Sequence, residues 1–133
     1  KLVEIYNLAD VVVGMGGEGW GFSTTEGMAC GKPILAIDHS ASGELVKGRG
    51  ELVAVQNYIT GAHNTERPIP NIDDLAEKLE LLYSNTTIRE KYGKLGYDFV
   101  QNISWNHVGE QWDTLIKEVI DPFSVKLTPE RIC

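Results

Sequence analysis

Between residues 10 and 38 two short apolar runs, Val11-Val12-Val13 and Ile34-Leu35-Ala36-Ile37, flank a glycine-rich turn and one helical segment. Runs this short and this uniformly aliphatic are expected as strands buried on both faces, the habit of parallel sheets. Phe22 to Cys30 reads as the helix between them. It stops at Gly31, and Pro33 beyond cannot continue it. After Ile34 to Ile37 comes a short helical turn over Gly43 to Lys47. A third strand, Glu51 to Val55, follows the turn Gly48-Arg49-Gly50. Strand, helix, strand, helical turn, strand is the grammar of an α/β fold with a parallel sheet flanked by helices.

The flanking segments fill out this plan. Residues 1–9 carry Leu2, Ile5, Tyr6 and Ala9 in helical register. Gln56 to Pro70 shows no clear period and reads as a long irregular loop, with Tyr58, His63 and Arg67 as its chemically capable side chains, though a packed surface loop is the plainer expectation. Three helices then close the chain. Asn71 caps the first, which is lined by Ile72, Leu75, Leu79 and Leu82. Thr87 with Glu90 makes a capping box for the second, whose apolar side is Ile88, Tyr92, Leu95 and Phe99. Ser104 caps the third, where Trp105, Val108, Trp112, Leu115 and Val119 are expected as core. The tail after Asp121-Pro122 has little periodic signal.

At 133 residues the chain is one domain's worth. A net charge of −7 argues against nucleic acid or an anionic membrane as a broad-surface partner. Any anionic ligand must be held locally, by helix N-termini and a few cations. Cys30 and Cys133 are too few for a metal cluster or a disulfide framework, and Cys30 is expected to pack as a small hydrophobe. No apolar run reaches membrane-spanning length and no secretory signal precedes the first helix, so a reducing cytoplasm is the default. Asn85-Thr86-Thr87 and Asn102-Ile103-Ser104 match the glycosylation pattern, which is common by chance.

Ligands of parallel sheets bind outside the carboxyl ends of the strands, which focuses attention on the turn after the first strand. Glu18 falls in that turn and Glu26 about one turn into the following helix, in the run E-G-W-G-F-S-T-T-E. Glycines let backbone approach a ligand closely, and a helix N-terminus offers free N–H groups to an anion. Two carboxylates beside an anion-binding turn suit a ligand with both phosphate and many hydroxyls, a description that a nucleotide-sugar meets. The same stretch, Gly14-Met15-Gly16-Gly17-Glu18-Gly19, satisfies G-x-G-x-x-G, with Asp38 ending the next strand. A nicotinamide or flavin site is nonetheless disfavoured. It would put Trp20, Gly21, Thr24 and Thr25 into a poorly propagating helix and set Glu18 against a pyrophosphate.

The segment resembles the donor-binding half of retaining glycosyltransferases of family 4, which have the GT-B fold. That family carries E-x7-E, then a run like A-M-A-C-G-x-P and a strand ending in Asp. Here these are Glu18, Glu26, Gly27-Met28-Ala29-Cys30-Gly31-Lys32-Pro33 and Ile34 to Asp38. Leu8-Ala9-Asp10-Val11 and Gly43-Glu44-Leu45-Val46 look like the family too. The departures are Trp20, where an aromatic is usual, and Gly27, where Ala is commoner.

The resemblance implies a Rossmann-like sheet forming part of a GT-B C-terminal domain over residues 1–120, with 121–133 as tail. It implies that Glu18 contacts hydroxyls of the transferred sugar and orients it for catalysis, and that Glu26 binds the donor ribose. Gly19 and Gly21 both shape the turn and count among the substrate-binding residues; Gly21, Phe22 and Ser23 offer main-chain N–H groups, and Thr24 its N–H or hydroxyl. His39 and Ser40 follow the second strand into the same crevice, His39 as a further substrate contact. Lys32 is expected to partner a helix end, Asp38 to order its loop and Glu44 to cap its short helix. Neither cofactor nor metal is implied: the donor, a UDP- or GDP-sugar for example, is the substrate. The opening Lys1 in mid-helix, without Met or N-cap, is read as a cut, so the acceptor domain and the Arg/Lys pair for the diphosphate are expected upstream. Peripheral membrane association of the whole enzyme and self-association of this piece stay open. The readings from other classes are a dinucleotide-binding oxidoreductase fragment and a non-catalytic module that binds nucleotide-sugar or a protein.

Overall fold

The computed structural model describes residues 1–124. One compact unit spans Lys1–Gln101 and a second starts at Asn102. The tail beyond 124, Cys133 included, lies outside the described residues.

The first unit opens with α1 (Leu2–Leu8), β1 (Val12–Gly14), α2 (Phe22–Ala29), β2 (Ile34–Ile37), α3 (Ser40–Val46) and β3 (Glu51–Val53). The three strands are parallel in the order β1-β2-β3, with Val12 beside Ile34 and Leu35 beside Glu51. This is the α/β parallel sheet flanked by helices that the apolar runs predict. β2 is central and wholly buried, and its alternating side chains build two cores. Ile34 and Ala36 pack with Met28, Leu45, Val46 and Val100 on one face. Leu35 packs with Val53 and Leu82 on the other.

β1 departs from the expectation of burial on both faces. It is the sheet's edge, and Val13 stays half-exposed. The face expected for α1 is only partly covered. Tyr6 and Ala9 are half-buried while Leu2 and Ile5 are exposed, and side-chain hydrogen bonds tie the helix to Glu26 and Lys32.

The stretch read as an irregular loop is instead a β-hairpin. β4 (Val55–Thr60) runs antiparallel to β5 (Glu66–Pro70), pairing Tyr58 with Pro68 and Ile59 with Arg67. Its tip is a 3-10 turn, Ala62–Asn64, in which His63 and Asn64 adopt positive φ. Pro68 and Pro70 are tolerated because a two-stranded ribbon has free edges. The hairpin is rooted firmly. Ala54 donates its N–H to Asp74 at 2.6 Å, and Asn71 N–H donates to the Ala54 carbonyl at 2.8 Å. The Ala54 N–H, and after it Lys78, hold the Asp74 carboxyl below the usual range.

Two helices complete the unit, α4 (Ile72–Ser84) and α5 (Thr86–Val100). Asn71 caps α4 as expected, accepting from Asp74 N–H at 3.0 Å. The cap of α5 is Asn85, which accepts from Ile88 N–H at 3.0 Å, and not the Thr87 box. The helix starts two residues earlier than the box requires, so Thr87 is already inside it. Three of the four residues expected on the apolar side of α5 pack against the cores, Ile88 and Tyr92 on one and Phe99 on the other, while Leu95 is exposed; the residues most deeply buried are Gly93, Gly96 and Val100. In the second unit Ser104 accepts from His107 N–H at 3.2 Å and starts α6 (Trp105–Ser124), as expected. The expected core placement of its apolar face is not met among the described residues, since Trp105, Trp112, Leu115 and Val119 are all exposed. No helix among the described residues is long and apolar enough to cross a membrane.

The phenol of Tyr92 donates to Glu51 at 2.7 Å and ties α5 to β3. That bond, with partial burial, pushes the Tyr92 pKa from 10.0 up to about 12. A folded-state pKa raised above the unfolded value means that the fold retains a proton the unfolded chain releases. The stabilisation is therefore complete below pH 10 and is lost as pH rises towards 12. Denaturant midpoints measured across that window should fall more steeply for the parent chain than for Tyr92→Phe. Parallel slopes would show that the bond contributes nothing.

Candidate functional site

The loops that leave β1 and β2 at their carboxyl ends are laced together. Ser40 Oγ accepts from the Glu18 N–H at 3.1 Å and donates to the Glu18 carbonyl at 3.0 Å. Ala41 N–H donates to the same carbonyl at 3.3 Å. The Glu18 backbone is thus fixed while its side chain stays exposed. Ser40 holds this position with φ of 49°, a left-handed conformation unfavourable for a residue with a Cβ. Strain of this kind persists where surrounding bonds over-determine it, and functional sites are where it clusters.

Gly21 begins α2 as its N-cap, with φ 81° and ψ 65°, and no side chain caps the helix. An L side chain would be strained in that conformation, which is why the turn needs glycine here. Phe22 and Ser23 occupy the exposed first turn, where N–H groups have no acceptor within the helix. Thr24 differs from its expected role: it is buried, and its N–H donates to the Gly21 carbonyl at 3.1 Å. Its hydroxyl packs beneath Gly14 and Gly21, inside the turn rather than on its rim. Gly19 lies in the open loop three residues ahead of Phe22 and so outside the helix. The third glycine of a dinucleotide fingerprint belongs in the first helical turn, so the geometry goes against that reading.

His39 is half-buried at the N-cap of α3. It borders an open depression of about 370 Å³ shared with Asp38, Ser40, Gly43, Glu44 and Lys47. Its ring also lies against Gly17, where an added Cβ would come within 3.3 Å of it. Because α3 starts at Ser40, Glu44 sits in mid-helix and is not the expected cap.

Glu26 is half-buried and turned towards α1, where its Oε2 accepts the Tyr6 hydroxyl at 2.8 Å. Partial burial, and after it the bond and charge of Glu26, push the Tyr6 pKa up to about 12. The two residues line an apolar cleft of about 470 Å³ with Leu2, Val3, Ala29, Cys30 and Tyr97. Cys30 is therefore half-exposed rather than sealed in the core. Lys32 does partner a helix end, although of α1 rather than α2: its Nζ donates to the Asn7 carbonyl at 3.2 Å. The structure thus gathers Glu18, Ser40, His39 and the start of α2 at the sheet's carboxyl end, while Glu26 faces α1. Tyr6 and Lys47 were missed. A tyrosine in an amphipathic helix and a lysine after a short one carry no local signal of a site. Among the described residues no three His, Cys, Asp or Glu side chains are grouped so as to hold a metal ion.

A family model described as glycosyl transferases group 1 matches residues 1–99, which takes in the sheet, the laced loops and nearly all of α5. The chain belongs to that family. It is also similar to the uncharacterized glycosyltransferase MJ1178 of Methanocaldococcus jannaschii, 34% identical over 96 residues. The match takes in 71% of this chain and 24% of that protein, so the chain spans about a quarter of its relative's length.

Proposed function

We propose that this chain is the donor-binding part of a longer, retaining GT-B glycosyltransferase of family 4, acting on a nucleotide-sugar without a metal ion. The observation that carries the reading is the Glu18 turn. Its backbone is fixed by Ser40, its carboxylate is free, and it stands beside the uncapped N-terminus of α2. In this account the main-chain N–H groups of Gly21, Phe22 and Ser23 and the positive end of α2 receive the diphosphate. The same groups stabilise the leaving diphosphate as its charge develops, when the donor departs and attack comes on the same face. Glu18 accepts protons from hydroxyls of the transferred sugar and fixes its orientation. Glu26 accepts from the ribose hydroxyls. A carboxylate has about four lone-pair sites, so the Tyr6 bond leaves capacity for both. His39 adds a contact from the β2 side, and the acceptor is supplied by a second domain of the same enzyme.

The test is a transfer assay of the whole enzyme with a panel of nucleotide-sugars in excess chelator, with the product anomer assigned by NMR. The reading expects undiminished transfer and a product that keeps the donor's anomeric configuration. Inversion, or loss of activity restored by a divalent ion, would refute it.

A further inference from the structure

The β4–β5 hairpin bears on the Glu18 turn, and no step above uses it. The strand pairing puts Tyr58, Pro68, Thr60 and Glu66 on one face of the ribbon and Asn57, Ile59, Arg67 and Ile69 on the other. The Tyr58 face is the one turned to the sheet's carboxyl end. Tyr58 meets His39 ring to ring at 5.5 Å, with the planes 61° apart. Pro68 Cδ stands 3.9 Å from where a Cβ on Gly17 would be. His39 and Pro68 therefore stand beside Gly17, which itself remains exposed, and Glu18 follows it directly. Tyr58 keeps 45% of its surface exposed beside these residues. The hairpin cannot swing away freely, since Ala54 and Asn71 clamp its two ends to the start of α4.

A pyranose has hydroxyls on its rim and C–H groups on its faces. It is recognised by carboxylates at the rim and aromatic surface on a face, the mixture of apolar walls and few polar groups typical of small-ligand sites. Glu18 supplies the first and the Tyr58–His39 corner the second. We propose that the hairpin is the wall that selects the transferred sugar, with Tyr58 packing on its apolar face and His39 held in place by Tyr58. This rests on the reading of the Glu18 turn as the place of the donor sugar.

The experiment is calorimetry of the full chain with a nucleotide-sugar panel and with each corresponding nucleoside diphosphate, for the parent, Tyr58→Ala, Tyr58→Leu and Tyr58→Phe. The proposal expects Tyr58→Ala and Tyr58→Leu to weaken the preferred nucleotide-sugar roughly fivefold or more, the scale of one aromatic contact. The nucleoside diphosphate alone should bind all four within about twofold, and Tyr58→Phe should retain the parent's preference among sugars. Leucine keeps apolar bulk opposite Pro68, so full affinity in Tyr58→Leu would show that the ring only props the hairpin, and would overturn the proposal. Unchanged sugar preference in Tyr58→Ala would do the same while leaving the nucleotide-sugar reading intact. A parent chain that binds no nucleoside diphosphate and no nucleotide-sugar would sink both.

Discussion

Replacing Gly93 by alanine is expected to destabilise the sheet unit by about 2 kcal/mol, although alanine is the better helix former. An alanine Cβ at this position would drive into the carbonyl oxygen of Gly31 and stand 3.1 Å from its carbonyl carbon. The obstacle is backbone at the end of α2, which cannot rotate aside as a side chain could. Overpacking of this kind costs about 1–3 kcal/mol, here at the upper end, against about 1 kcal/mol regained in helix propensity. Three residues on, a Cβ at Gly96 would come 2.8 Å from Met28 Cγ, so α5 lies on α2 along a strip of two glycines. Urea unfolding followed by circular dichroism measures the effect. Gly109 in α6 is the control: nothing lies within 4 Å of a Cβ there, so alanine should raise helicity. A Gly93→Ala midpoint equal to or above the parent's would mean that α5 does not sit so close.

The acid pair should separate into two kinds of loss when the whole enzyme is assayed. Glu26→Ala is expected to weaken donor binding by about 1–3 kcal/mol, the scale of hydrogen bonds to a charged group. Glu18→Ala is expected to lower turnover on the order of a hundredfold with a smaller change in donor affinity, because a misplaced reacting sugar loses that much. The contrast follows from their settings: Glu26 is half-buried and already bonded, whereas Glu18 has a fixed backbone and a free carboxylate. Steady-state kinetics with varied donor resolves the two. Small and equal effects at both positions would reduce them to surface acids.

The sheet was legible because its strands are short, mostly apolar and punctuated by glycine and proline, and β2 lies where Ile34 to Ile37 predicts. The hairpin was not. Val55 to Pro70 alternates weakly, two prolines discourage a strand reading, and its reversal uses His63 and Asn64 at positive φ instead of the glycine a sequence reader seeks. The stripe of α5 was legible only in part, in Ile88, Tyr92 and Phe99, for a related reason. Gly93 and Gly96 are its closest contacts, and a residue without a side chain gives no hydrophobic signal. At the site, Glu18 and the glycine turn could be picked out by their place after a strand. Tyr6 could not be assigned to Glu26, since a bond across 20 positions leaves no local pattern. Thr24 shows the limit of reading a polar residue in a loop-helix joint as ligand-facing: its hydroxyl points into the turn.

The central claim is that the turn fixed by Ser40 and the start of α2 receive a nucleotide-sugar. Calorimetry of this chain against UDP- and GDP-sugars, their nucleoside diphosphates and nicotinamide dinucleotides tests it most directly. The account predicts a response to at least one nucleotide-sugar, weakened in Glu26→Ala, with no dinucleotide binding. Tight binding of a nicotinamide dinucleotide without any nucleotide-sugar response would contradict it.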